Sequence, residues 1–89
     1  MKLTYDMIIT EIGDDYAAVP TGAAADAFHG IIRLNETGRD IWNGIAEGLS
    51  EEEIAERLVE LYDGVDKDTA RACTEETVKK LRAAGFVTD

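Results

Sequence analysis

His29 and Cys73 are the one histidine and the one cysteine of this chain, so any metal or nucleophile chemistry would start from them. A zinc site takes four ligands, or three and a water, drawn from His and Cys at tight spacing. One of each, far apart in sequence, does not supply that set. His29 falls in a strand-like stretch and reads as a surface or packing residue. Cys73 falls on an apolar helical stripe and reads as a small buried hydrophobe. The run Glu51–Glu53 offers adjacent carboxylates. In the first turn of a helix, however, these complement the positive end of the dipole rather than forming an acid–base pair. The glycines lack phosphate-loop spacing. An acyl carrier protein would carry Asp-Ser-Leu at a helix start, whereas Ser50 sits in "GLSEEE" and reads as a cap. No catalytic residue, metal ligand or cofactor is expected, and function must come from shape and surface.

The chain has 89 residues, 45% of them hydrophobic, and a formal net charge of -10. That length is one domain, expected to span residues 1–89. A domain of this size buries about 60–65% of the surface its unfolded chain exposes. The acidity repels nucleic-acid phosphates except at a local basic strip. A single cysteine forms no intrachain disulfide, which argues against a secreted, stapled fold. The opening "MKLTYDMIITEIGDD" has no cleavage-like segment, and no run approaches the ~20 apolar residues of a membrane helix. The expectation is a soluble cytoplasmic protein with no membrane partner and no nucleic-acid partner.

Three strands are expected first. Met7–Ile12 is rich in β-branched residues, Gly13–Asp15 is a turn signal, and Tyr16–Pro20 returns as a second strand. "TGAAADAFHG" is an irregular connection. Phe28–Leu34 reads as a third strand, with Phe28, Ile32 and Leu34 on one face and His29, Ile31 and Arg33 on the other. Three helices follow. Asn35 caps the first by accepting from the amide of Thr37 or Gly38, and Ile41, Trp42, Ile45 and Leu49 form its apolar stripe. Ser50 and Glu53 make a capping box for the second, whose apolar face is Ile54, Leu58 and Leu61, flanked by Ala55 and Tyr62. Asp66 caps the third, with Ala70, Cys73, Thr77, Leu81 and Ala84 along its buried side. Gly85 suits a left-handed C-terminal cap, with Phe86 packed over Leu81. The plan is a small α+β domain with a helix-turn-helix-like pair.

The second helix is strongly acidic. The third carries Lys67, Arg71, Lys79, Lys80 and Arg82, five of the nine basic residues. These make either a solvated face with pairs such as Glu75–Lys79 and Glu76–Lys80, or a basic strip that attracts an acidic partner. A three-stranded sheet also has two edges of unpaired amides and carbonyls. If the third strand is an edge beside the third helix, the two form a groove suited to capturing an extended peptide by strand addition.

The stretch "GIIRLNETGRDIWNGI", followed by "LSEEEIAERLVELYDGVDKDTARACTEETVKKLRAAGFV", resembles the PqqD-like family, named for a protein that assists pyrroloquinoline quinone synthesis. The matching features are Leu34–Gly38 (Leu-Asn-Glu-Thr-Gly), the pair Ile41 and Trp42, the "EEIAERL…YD" helix and the closing "LRAAGFV". The resemblance runs from about Met7 to Val87. It implies a winged-helix-like fold and a non-catalytic peptide chaperone, a recognition element for ribosomally made peptides that enzymes modify. Such a domain holds the leader segment of a precursor against the third strand, beside the third helix. It presents the rest to a partner, often a radical S-adenosylmethionine enzyme. The strand wall it implies here is Phe28 to Leu34, centred on Ile31, Ile32 and Arg33. The helix wall it implies is Arg71, Glu75, Val78 and Arg82. A winged-helix transcription factor is the alternative, favoured by the helix pair and opposed by the acidity. A scaffold or dimerisation module is a third reading, and the expected state is a monomer or weak dimer.

Overall fold

The computed structural model describes residues 1–22 and 31–88. Their order is β1 (Lys2–Leu3), β2 (Met7–Ile12), β3 (Asp15–Pro20), β4 (Ile32–Leu34), α1 (Glu36–Ala46), α2 (Glu51–Leu61), α3 (Lys67–Ala83) and β5 (Val87–Thr88). The architecture is the expected α+β one, antiparallel strands followed by three helices. No helix among the described residues is long and apolar enough to cross a membrane.

β2 and β3 form a hairpin in which Ile12 faces Asp15, leaving Gly13 and Asp14 as a two-residue turn. Gly13 has φ +62, so the glycine stands first, as in the type II′ turn whose twist matches that of paired strands. β4 adds to the other side of β3, giving the order β2-β3-β4. The strand expected from Phe28 begins only at Ile32, with Ile31 just before it; Phe28 and His29 lie outside the described residues. Absent from the sequence reading is a second, two-stranded sheet. In it β1 pairs antiparallel with β5, with Lys2 opposite Thr88 and Leu3 opposite Val87. It ties the start of the chain to its end and is extended by Thr4 donating to the Phe86 carbonyl at 2.8 Å.

Each helix starts on the cap its sequence announces. The Asn35 side chain accepts from Gly38, Ser50 and Glu53 form the reciprocal capping box, and Asp66 accepts from Thr69. α3 ends with Phe86 donating to the Leu81 carbonyl and Gly85 donating to that of Arg82. With Gly85 at φ +87, that is the Schellman pattern. Phe86 then meets Trp42 at 6.3 Å and Tyr5 at 6.0 Å between ring centroids, which fastens the terminal sheet to the core.

That core joins Ile41, Trp42 and Ile45 of α1, Ile54, Ala55 and Leu58 of α2, and Ala70, Val78 and Leu81 of α3, closed by Ala18 and Leu34 from the sheet. Two expectations are corrected. Leu61 is 56% exposed, because the inward stripe of α2 runs through Ile54, Leu58 and Tyr62 at helical spacing. In α3 the fully buried positions are Ala70, Thr74, Val78 and Leu81. Cys73 and Thr77 are only half-buried, and Ala84 is exposed. Thr74 can occupy the core because its hydroxyl donates to the Ala70 carbonyl at 2.8 Å, which removes the penalty of an unpaired buried polar group.

α1 and α2 cross closely at Gly44, where a Cβ would stand 2.7 Å from Ile54 Cγ1 and 3.2 Å from Cδ1. Ile54 is fully buried and has nowhere to swing. Overpacking of this kind costs about 1–3 kcal/mol, more than the ~1 kcal/mol of helix propensity that alanine gains over glycine. Gly44→Ala is expected to lower the thermal midpoint, followed by circular dichroism, by several degrees. An unchanged or raised midpoint would show that the crossing has slack.

Candidate functional site

The sheet's pairing decides which main-chain groups remain open. In an antiparallel ladder, opposed residues alternate between pairs that exchange hydrogen bonds and pairs that do not. A two-residue hairpin makes Ile12–Asp15 a bonded pair, which fixes Thr10–Ala17 and Ile8–Val19 as bonded too. Two observations agree with this phase. Thr21 donates to the Asp6 carbonyl at 3.1 Å, and Pro20, which has no N–H, falls in a non-bonded pair with Met7. On β3 the intervening residues Tyr16 and Ala18 must therefore turn their amides and carbonyls towards β4, to Leu34 and Ile32. Arg33, between them, directs its own amide and carbonyl away from the sheet. Among the described residues no strand pairs with that outer side. Ile31, two residues earlier, has the same parity.

A groove of ≈ 330 Å³ runs along this open edge. One wall is Ile32, Arg33 and Leu34, and the other is Thr77, Lys80 and Leu81 of α3; Asn35 and Gly38 close one end. The Leu-Asn-Glu-Thr-Gly element thereby acquires a physical account. Leu34 is buried in the core. Asn35 ends the strand and receives the Gly38 amide at 2.7 Å. At Gly38 a Cβ would lie 3.0 Å from Asn35 Oδ1 and 3.5 Å from the Leu34 side chain, so only a glycine leaves both the cap and the groove floor undisturbed. Thr37 points to a separate hollow beyond the first turn of α1.

A polar network holds α1 against its neighbours. Arg39 reaches Asp40 through Nε at 3.1 Å and Nη2 at 2.9 Å. Its guanidinium also lies 4.4 Å from the centroid of the Tyr16 ring on β3. The Tyr62 hydroxyl, at the end of α2, donates to the same Asp40. Burial, then that hydrogen bond, push the Tyr62 phenol well above its ordinary value, so the hydroxyl stays protonated and donating. The strand before Asn35 and the helix after it are thus set at a fixed angle. At the groove rim the cations are Arg33, 3.7 Å from Asp15, and Lys80, 3.2 Å from Glu76. All four side chains are at least half exposed, and such pairs contribute little to stability, so both cations can be redirected to another acid at small cost.

Of the strand wall named from sequence, Phe28 lies outside the described residues, and Ile31 to Leu34 lead into and form β4. Ile32 is half-buried, Arg33 is exposed on the edge, and Ile31 is 53% exposed beside it. The helix wall is different. Arg71 lies 3.9 Å from Glu52, and Glu75 and Arg82 line a hollow with Glu51 and Lys79; all three occupy the flank of α3 that turns to α2. Val78 is a core residue, 1% exposed. The flank facing β4 carries Thr77 and Lys80 instead. The cause is the stripe correction above: centring the buried side on Cys73 and Thr77 rather than Thr74 and Val78 turns the helix by about one residue, roughly 100°. That exchange sends the true groove wall into the core and the opposite flank into the groove. Among the described residues no group of His, Cys, Asp and Glu is placed to hold a metal ion.

Three comparisons bear on this geometry. The family model for coenzyme PQQ synthesis protein D (PqqD) matches residues 27–87. A solved structure of TbiB1 in complex with the TbiA(beta) leader peptide has the same fold, with a TM-score of 0.70 over 99% of this chain and 100% of that one at 21% identity. No curated protein matches the chain.

If Asn35 fixes the end of β4, removing its side chain should loosen the groove from within. Asn35→Ala is expected to cost about 1 kcal/mol, read as a lower urea midpoint at unchanged slope, and Asn35→Asp is expected to restore most of it. Equal midpoints for all three proteins would remove the cap from the account.

Proposed function

The chain belongs to the family of coenzyme PQQ synthesis protein D (PqqD), and we propose that it is a non-catalytic peptide chaperone. In this reading residues 1–89 act as one recognition domain. The domain binds the leader segment of a ribosomally made precursor as an added strand on β4 and presents the remainder to a modifying enzyme in the cytoplasm. A radical S-adenosylmethionine enzyme is the partner that the family resemblance favours. The observation that carries this reading is the outer side of β4, where Arg33 offers an amide and a carbonyl to a groove floored by apolar side chains. Strand addition uses just these groups: main-chain bonds hold the guest, and the adjoining pockets select it. The solved complex of TbiB1 with a leader peptide supports the assignment through its shared fold. Arg33 and Lys80 at the rim suit a guest rich in Glu and Asp, which the net charge of -10 would otherwise repel. The peptide-contacting set is accordingly Ile31, Ile32, Arg33 and Leu34 on the strand, and Thr77, Lys80 and Leu81 on the helix.

Proline removes one main-chain donor, and on an edge strand whose N–H faces solvent it is tolerated. Arg33→Pro is therefore expected to weaken calorimetric binding of a peptide selected by display against the parent chain by tenfold or more, with a circular dichroism melt close to that of the parent. Arg33→Ala, which keeps the amide, separates the side chain's share and should lose less. Unchanged affinity in the proline variant would sink strand addition at β4.

A further inference from the structure

The sheet has a second open edge. With Ile8, Thr10 and Ile12 bonded to β3, the amides and carbonyls of Met7, Ile9 and Glu11 point away from it. Among the described residues no strand pairs with that side. The two edges are guarded differently. Proteins blunt a free edge with a short strand, a bulge, a proline or an exposed charge. β4 is three residues long and carries Arg33 at its centre. β2 is six residues long, Met-Ile-Ile-Thr-Glu-Ile, with one charge, no lysine and no proline, and it pairs with β3 residue for residue without a bulge. On its outer face Ile8 is 57% exposed and Ile12 41%, with the exposed Thr10 between them.

The cover that fits this edge is the same strand of a second copy. In antiparallel pairing, residues whose main-chain groups point outward must meet others of that kind. About a twofold axis β2 meets itself in that phase. The register centred on Ile9 makes three bonded pairs: Ile9 with the partner's Ile9, Met7 with the partner's Glu11, and Glu11 with the partner's Met7. A shift of two residues either way leaves two such pairs. The central register also keeps acids apart, since Glu11 faces the partner's Met7 and Asp6 the partner's Ile12. A shift of four towards the turn would set Glu11 against the partner's Glu11. On the outer face Ile8 stands beside the partner's Thr10, with the partner's Ile8 and the partner's Ile12 on its diagonals, within reach of large side chains. We infer that β2 is a self-association seam, where two copies join edge to edge into one six-stranded sheet, β4-β3-β2-β2-β3-β4. Both β4 edges stay open at its far ends, and the seam does not depend on what they bind. Six residues of strand span about 20 Å, which buries less than the ~1,600 Å² of a standard stable interface, so the dimer is weak and forms with concentration.

Sedimentation equilibrium of the full chain between about 10 μM and about 1 mM covers the weak-dimer range. The mass is expected to rise towards two chains. It should do so at lower concentration when salt is raised from about 50 to about 500 mM, which screens the repulsion between copies of net charge -10. Glu11→Pro removes one outward amide at an exposed edge position and leaves the β3 ladder intact. It is expected to weaken association tenfold or more, with an unchanged circular dichroism melt. Glu11→Ala removes the same charge, keeps the amide and should associate at least as well as the parent. A single-chain mass throughout, or proline and alanine variants that associate alike, would overturn the seam. So would association that weakens with salt, the mark of an interface made of ion pairs, or association lost in Arg33→Pro, the mark of contact through β4.

Disulfide trapping reads the register. In a non-bonded antiparallel pair the α-carbons stand about 4.5 Å apart, within disulfide reach. Ile8→Cys and Thr10→Cys chains, each also carrying Cys73→Ser, are mixed in equal amounts and oxidised, and the products are weighed by mass spectrometry. The mixed dimer is expected to exceed each symmetric one well beyond the twofold excess of random pairing. Random proportions, or Thr10→Cys coupling chiefly to itself, would overturn the register centred on Ile9.

Discussion

A residue in an extended strand sends its amide and its carbonyl to the same side, and its neighbour sends both to the other. In this sheet β3 is fully committed. Asp15, Ala17 and Val19 face β2, while Tyr16 and Ala18 face β4. β4 answers with Leu34 and Ile32 and has no choice about Arg33, whose main-chain groups must point outward. The open edge is therefore a consequence of the hairpin's phase, which a two-residue turn at Gly13 and Asp14 fixes some twenty residues earlier. A one-residue slip in that hairpin would reverse every assignment. It would also place the Pro20 nitrogen where a donor is required.

The turn from β4 into α1 converts this edge into a groove. Leu34 is held by the core and Asn35 by the Gly38 amide, so the strand can lengthen no further. α1 then leaves at an angle set by Arg39 against Tyr16 and by Asp40 against Tyr62. α3 is laid alongside by its own buried stripe and pinned at its C-terminal end by Phe86 against Trp42 and Tyr5. The two walls thus belong to elements fixed by independent contacts. A peptide added there would find the gap formed in advance, which would spare it part of the ordering cost of binding.

How much of this could be read from the chain varied with the locality of the signal. Asn35, the Ser50–Glu53 pair, Asp66 and the Gly85–Phe86 ending are local chemistry, and each helix begins, and α3 ends, where those residues say. The hairpin was equally plain from Gly13 and its β-branched flank. β1 and β5 were not readable. Two residues apiece carry no periodicity, and their pairing joins opposite ends of the chain. The groove's strand wall could be named because Ile32 and Leu34 alternate with Arg33. Its helix wall could not, since Thr74 counts as polar by type and is apolar in place once its hydroxyl bonds to Ala70. With the buried stripe drawn through Cys73 and Thr77, the flank that carries Thr77 is read as core rather than as groove wall.

The shortness of β4 also limits what the edge alone can achieve. Arg33 and Ile31 offer at most about four main-chain hydrogen bonds, and each contributes a net ~0.5–1.5 kcal/mol in water. The sum, about 2–6 kcal/mol, is comparable with the lower range of the ~4–15 kcal/mol that association itself costs. Micromolar binding requires a further ~8 kcal/mol. Exposed ion pairs at Arg33 and Lys80 are too weak to supply that, although they hasten encounter with an acidic guest. Apolar burial has to make up the difference, at roughly 25 cal/mol per Å², which amounts to a few well-seated side chains. Leu34, Thr77 and Leu81 along the groove are where this surface can take them. Main-chain pairing would then set the direction and register of the guest, and the side chains seated beside it would set which guest is held.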